Sequence, residues 1–182
     1  EPLPLPGWPA TGAGLRAWGL ACGLRAAGHE VRLLMPANAA ATHGIAPSAD
    51  RTGWPDWVGT FDRPRLAATA AAEPCDAIVL QHWGLAAELG ETGLPLAIDL
   101  AGPHLLERRL WGSPDPEADL REKLEALRRA DFLTASGCYQ RHYFLPYLAL
   151  AGWPAEHPEV LPVIPFSFNP THPPAPVRHD RL

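Results

Sequence analysis

A chain of 182 residues is long enough to bury one sizeable core. Its net charge of −5, with a single lysine (Lys123) and no basic stripe, argues against a nucleic-acid partner. No apolar run approaches a membrane span, no leader is visible, and three scattered cysteines (Cys22, Cys75 and Cys138) suit small buried hydrophobes in a reducing, cytoplasmic compartment.

Arginine in place of lysine, with abundant Ala, Gly and Pro, points to a GC-rich bacterial genome. Glu1–Ala10 carries four prolines, which cannot donate to a strand ladder. Thr11–Pro36 then reads as a glycine loop, a helix, a glycine stop and a strand. Ala17, Leu20, Ala21 and Leu24 predict one apolar helix face, Gly28 a left-handed cap, and Val31–Met35 a buried strand.

Gly12-Ala13-Gly14-Leu15-Arg16-Ala17 formally fits a dinucleotide fingerprint. The fingerprint wants a strand upstream and an acidic residue after the second strand, whereas that strand runs into Pro36-Ala37-Asn38. A nicotinamide or flavin site is therefore the lesser reading. A turn and helix cap account for both glycines equally simply.

Ala37–Asp56 reads as loop, Trp57–Phe61 as a short strand and Arg65–Ala72 as a helix. Asp76–Leu80 is a predicted parallel strand ending in Gln81-His82-Trp83, followed by a short helix to Leu89. Leu94–Leu100 is another, ending in Asp99 and the turn Ala101-Gly102-Pro103. Helices follow over His104–Trp111 and Pro116–Arg129, the second with Leu120, Leu124 and Leu127 on one face. Asp131–Ser136 is a strand, Gly137–Gly152 a helix containing Pro146, and Val160–Phe166 a last strand. Residues 169–182 form a proline-rich tail or linker behind an α/β domain spanning residues 1–168.

Strands alternating with helices predict a doubly wound parallel sheet, whose ligands gather at the carboxyl ends of the strands. His82, Asp99, His104 and Ser136 all fall at such ends. Ser136 lacks the G-x-S-x-G setting of a hydrolase nucleophile and suits a helix cap. No C-x-x-C or H-x-x-x-H spacing suggests a metal site.

Five blocks in order carry a resemblance. They are TGAGLRAWGLACGLRAAGHEV, CDAIVLQHWG, LPLAIDLAGPHLLERR, RRADFLTASGCYQRHYFLPYLALAGW and VLPVIPFSFNP. Together the chain resembles the N-terminal, Rossmann-like domain of retaining glycosyltransferases of family 4, which have the two-domain GT-B fold.

Family members open with a strand directly before the glycine loop, which this chain lacks. Burying about five apolar residues there is worth roughly 8–15 kcal/mol, so the resemblance implies a piece of a longer polypeptide, inactive alone. It also implies a nucleotide-sugar donor held largely by a C-terminal domain of the same polypeptide, a glycan or lipid-linked acceptor, and no metal or other cofactor.

On that resemblance Gly12 and Gly14 approach the donor diphosphate. Arg16 meets a phosphate or acceptor carboxylate, or is a solvated helix arginine. His104 hydrogen-bonds the transferred sugar, and Asp99 orients that turn or accepts from a hydroxyl. His82 and Trp83 form a platform for a sugar ring, although Trp83 also suits the core. Arg128, Arg129, Arg141 and His142 suit either weak contact with an anionic membrane or a solvated surface. A nucleotide-dependent oxidoreductase or epimerase domain and a non-catalytic ligand-binding domain remain the other classes of reading.

Overall fold

The computed structural model describes residues 2–6, 8, 11–39, 41 and 52–166. The predicted loop over Ala37–Asp56 lies partly outside these residues, and the tail over 169–182 lies wholly outside them.

The chain is α/β, with helix α1 (Gly12–Ala26), strands β1 (Leu33–Pro36) and β2 (Val58–Phe61), and helix α2 (Leu66–Ala72) in its first part. Strand β3 (Ile78–Leu80), helix α3 (Ala86–Leu89) and strand β4 (Leu96–Leu100) follow. The last part holds α4 (His104–Leu110), α5 (Pro116–Arg129), β5 (Phe132–Ala135) and α6 (Cys138–Ala151). The single predicted sheet is two among the described residues: β1 pairs with β2, and β3–β4–β5 form a second, both parallel throughout. The predicted last strand reduces to one parallel bridge, Ala135 to Val163, because the 3₁₀ turn at Pro158–Val160 and two prolines leave little backbone to pair.

Side chains alternate across a strand, and this alternation sorts the second sheet into two faces. Leu80, Ile98, Leu100, Leu133 and Ala135 face one way and share a core with Ala126 and Leu127 of α5 and Phe144 and Leu148 of α6. Val79, Ala97, Asp99, Phe132 and Thr134 face the other way, where α1 covers the carboxyl end. Val79 and Phe132, on the adjoining row, remain about half exposed.

A smaller core beside β1 joins Leu3, Leu5, Trp18, Met35 and Val58, so the proline-rich start packs without becoming a strand. Helix α1 buries Gly14, Trp18 and Ala21, a face rotated from the predicted one, and leaves Leu24 exposed. The indole of Trp18 is the larger apolar body and takes the buried side. Gly28, at φ 94°, ends α1 as predicted. Its amide bonds the Arg25 carbonyl and that of His29 reaches Leu24, the double closure of a glycine stop.

Candidate functional site at the carboxyl rim

Thr11 caps α1 by accepting the Gly14 amide on its Oγ1 at 3.0 Å, while its own hydroxyl donates to the Pro2 carbonyl at 3.2 Å. Gly14 is therefore not an open phosphate contact. A Cβ there would lie 1.8 Å from the Pro2 oxygen, so this glycine admits the close approach of the chain start. The Leu15 amide is bound to the Thr11 carbonyl. Gly12 has open space around it, and the Gly12 and Ala13 amides have no partner among the described residues. These two are what the helix N-terminus can offer an anion.

Arg16 is 2 % exposed, which excludes the solvated position. Its Nε and Nη2 hold Asp99 in a two-pronged pair at 3.0 and 2.9 Å, and Nη1 donates to the carbonyls of Ile164 and Pro165. Thr134 Oγ1 donates to the same Asp99 carboxylate at 2.6 Å. Asp99 is 1 % exposed and fully engaged. The pair thus clamps α1 to β4, β5 and the closing segment. Its opposite charges cancel within the fold, so both residues act by positioning rather than by touching a ligand.

Gln81 Nε2 donates to the Ala13 carbonyl, tying the end of β3 to the first turn of α1. The next residue, His82, meets His104 with ring centroids 3.9 Å apart. His82 Nδ1 accepts the Gly84 amide at 2.8 Å and so opens the 3₁₀ turn Trp83–Leu85. Burial, then the neighbouring His104 and Arg108, push the His82 imidazole down to about 3. His82 is therefore neutral at physiological pH. His104, the first residue of α4, sets Nδ1 2.7 Å from Glu107 Oε2 one turn on.

Trp83 is 1 % exposed, stacks on His82 and lies beneath the Arg108 guanidinium at 4.7 Å, so it is core rather than a sugar platform. Its indole N–H has no acceptor among the described residues. Arg108 itself is held by Asp119 and Glu122 of α5. Ser136 does not cap α6. Gly137 is the N-cap residue, and Ser136 Oγ donates instead to the Ala101 carbonyl, joining the ends of β4 and β5. Cys75 and Cys138 are exposed rather than buried, and Cys22 is half-buried.

The structure therefore places His82, Asp99, His104 and Ser136 at one carboxyl rim, and the Gln81–Ala13 bond brings the start of α1 beside them. Glu107 and Arg108 were missed, although an acid three residues after a histidine on a predicted helix was a readable signal. Arg128 and Arg129 are occupied structurally, Arg128 on the Leu150 carbonyl and Arg129 on the carbonyls of Ala86 and Gly90 and on Glu91. No group of three His, Cys, Asp or Glu among the described residues is placed to hold a metal ion, and none of their helices is long and apolar enough to cross a membrane. A concavity of about 400 Å³ opens at the other rim, between Glu91–Leu96, Arg129 and Asp131. Compared with protein-family models, curated proteins and solved structures, the chain matches none.

Proposed function

We propose that this chain is the acceptor-side, Rossmann-like domain of a bacterial retaining glycosyltransferase of GT-B architecture, working in the cytoplasm. In this reading it moves a sugar from a nucleotide-sugar donor to a glycan or lipid-linked acceptor, with a C-terminal domain of the same polypeptide holding the donor. The observation that carries the reading is the carboxyl rim itself. There the unpaired Gly12 and Ala13 amides and the neutral His82, in ring contact with His104, meet through the Gln81–Ala13 bond.

An imidazole with a free nitrogen suits a sugar hydroxyl, and helix-terminal amides suit a departing diphosphate. The rim's contribution is positioning and electrostatic help rather than covalent chemistry. The half-exposed Val79 and Phe132 support a further packing partner, since parallel sheets are ordinarily covered on both faces. Weak contact with an anionic membrane belongs to the same reading. With Arg128 and Arg129 occupied, it falls to the exposed His142 next to Arg141, and to Arg109 beside the exposed Leu110 and Trp111.

The test is release of nucleoside diphosphate by the full-length product, offered a panel of nucleotide-sugars and glycan acceptors. His104→Ala is expected to lower turnover by roughly a hundredfold or more. Unchanged turnover removes His104 from the site, and no release from any donor removes the transferase reading.

One observation favours a second reading. Arg16, on the first helix after the glycine loop, is neutralised by Asp99 and so is not free to meet a diphosphate. A non-catalytic sugar-binding domain needs none, and it would bind glycans without turning over any donor.

A further inference from the structure

Two histidines in contact are usually described by what they share, but here their outer partners make them different. The Gly84 amide donates to His82 Nδ1, so that nitrogen keeps its lone pair and the ring's proton sits on Nε2. The Glu107 carboxylate accepts from His104 Nδ1, so that proton sits on Nδ1, and in the neutral ring Nε2 keeps its lone pair. Neither Nε2 has a hydrogen-bond partner among the described residues. With the centroids 3.9 Å apart, the rim presents one donor and one acceptor side by side.

We infer that His82 and His104 read two neighbouring hydroxyls of a neutral polyol, His82 donating to one and His104 accepting from the other, with Glu107 as the positioning residue that fixes the acceptor. The ligand class rests on the sugar reading proposed above. The tautomers rest on geometry alone.

Charge supports neutrality of the ligand. Arg108, the guanidinium nearest the pair, is held by Asp119 and Glu122, and Arg16 is held by Asp99. An anion at the pair would thus find the Arg108 and Arg16 guanidinium groups already paired. A hydroxyl pair asks only for what the two rings offer, one hydrogen bond given and one taken. The buried indole N–H of Trp83, stacked beside His82, is one more donor without an acceptor among the described residues. Gly102 is part of the device, because a Cβ there would lie 3.1 Å from His104 Cε1 and 3.3 Å from Nε2. The turn after β4 leaves the acceptor edge unobstructed only while this residue is glycine.

Imidazole nitrogen spectra of the ¹⁵N-labelled chain test the idea. Expected are an Nε2–H signal for His82 and an Nδ1–H signal for His104, without any ligand. Methyl glucopyranoside is expected to move both Nε2 resonances together. Analogues lacking the hydroxyl on either side of the recognised pair are expected to bind at least about tenfold more weakly, the worth of one hydrogen bond.

Glu107→Ala is expected to shift His104 toward Nε2–H and to erase the preference for the intact glycoside. Glu107→Gln, whose amide oxygen still accepts, is expected to restore both. An Nε2–H His104 in the unaltered chain overturns the inference, and so does a preference that survives Glu107→Ala. If glycoside and deoxy analogues bind equally, the paired reading falls while the sugar reading stands. If the tautomers are as expected and no glycoside registers, the sugar reading falls and takes the ligand assignment with it. The unaltered chain answers the tautomer question even should a variant misfold.

Discussion

Arg16 shows how burial turns a residue that suits ligand binding into a structural one. Removing one partner of a buried pair strands the other charge, which costs about 3–5 kcal/mol, whereas replacing both with apolar side chains is far milder. Arg16→Leu is therefore expected to lower stability by about that amount in urea unfolding. The Arg16→Leu/Asp99→Leu double variant is expected to recover most of the loss, a coupling that the double-mutant cycle reads directly.

Lys123, the chain's only lysine, is equally buried. Its ammonium sits 3.2 Å from the Tyr147 ring centroid and 4.4 and 4.5 Å from those of Tyr143 and Phe144, and it donates to Tyr143 Oη with no acid paired to it among the described residues. Burial lowers its pKa from 10.5 to about 7. Between these values the unfolded chain holds a proton the folded chain has released. Stability should accordingly rise with pH from about 7 to 10.5, with the full penalty present below 7. For His82 the window is about 3 to 6.5, so stability should fall as acid carries the solution down through it. Lys123→Met is expected to flatten the alkaline slope of unfolding free energy measured from pH 6 to 10, leaving the acid limb as it was.

Among the elements, α1 and α5 show the same displacement from expectation. The predicted apolar face of α5 was Leu120, Leu124 and Leu127. The buried stripe is Asp119, Lys123, Ala126 and Leu127, because Arg108 draws in Asp119 and three aromatic rings of α6 draw in Lys123. Periodicity finds a helix and its length, but a charged residue turned inward by a partner distant in sequence rotates the face.

The two glycines of the α1 loop separate in the same manner. Gly14→Ala has no room against the Pro2 carbonyl and is expected to displace the chain start, exposing Leu3 and Leu5. Gly12→Ala meets open space and is expected to be neutral or to stabilise the helix by up to about 1 kcal/mol. Thermal unfolding of the two variants side by side checks the contrast. Were Gly14→Ala as stable as the unaltered chain, the close approach of Pro2 would be refuted.

For the whole molecule, the second sheet has one closed face and one that α1 covers only at its carboxyl end. Phe132 is 53 % exposed on the uncovered row, so it contributes little of the roughly 1.5–3 kcal/mol that a fully buried aromatic supplies. In these 182 residues by themselves, without the packing partner proposed above, Phe132→Ser is expected to change stability in urea unfolding by no more than about 0.5 kcal/mol. A loss several times larger would mean that something covers this face in solution, and light scattering would show whether a second copy does.

Apart from the closing strand over Val160–Phe166, element type and order are legible in the sequence, from the run Ile78-Val79-Leu80, the Asp115-Pro116 start of α5 and the Gly28 stop of α1. These signals are local: strand propensity, an N-cap and a positive φ act within a few residues. The strand-end positions of His82, Asp99, His104 and Ser136 were legible for the same reason. Which of them is free to meet a ligand was not. Arg16 and Asp99 are 83 residues apart and cancel each other only once α1 lies across β4. His82 and His104 become donor and acceptor only when the Gly84 amide and Glu107 have claimed their inner nitrogens. A residue's chemistry is inherited from its sequence, but whether its charge or lone pair is already spent depends on neighbours that folding alone supplies.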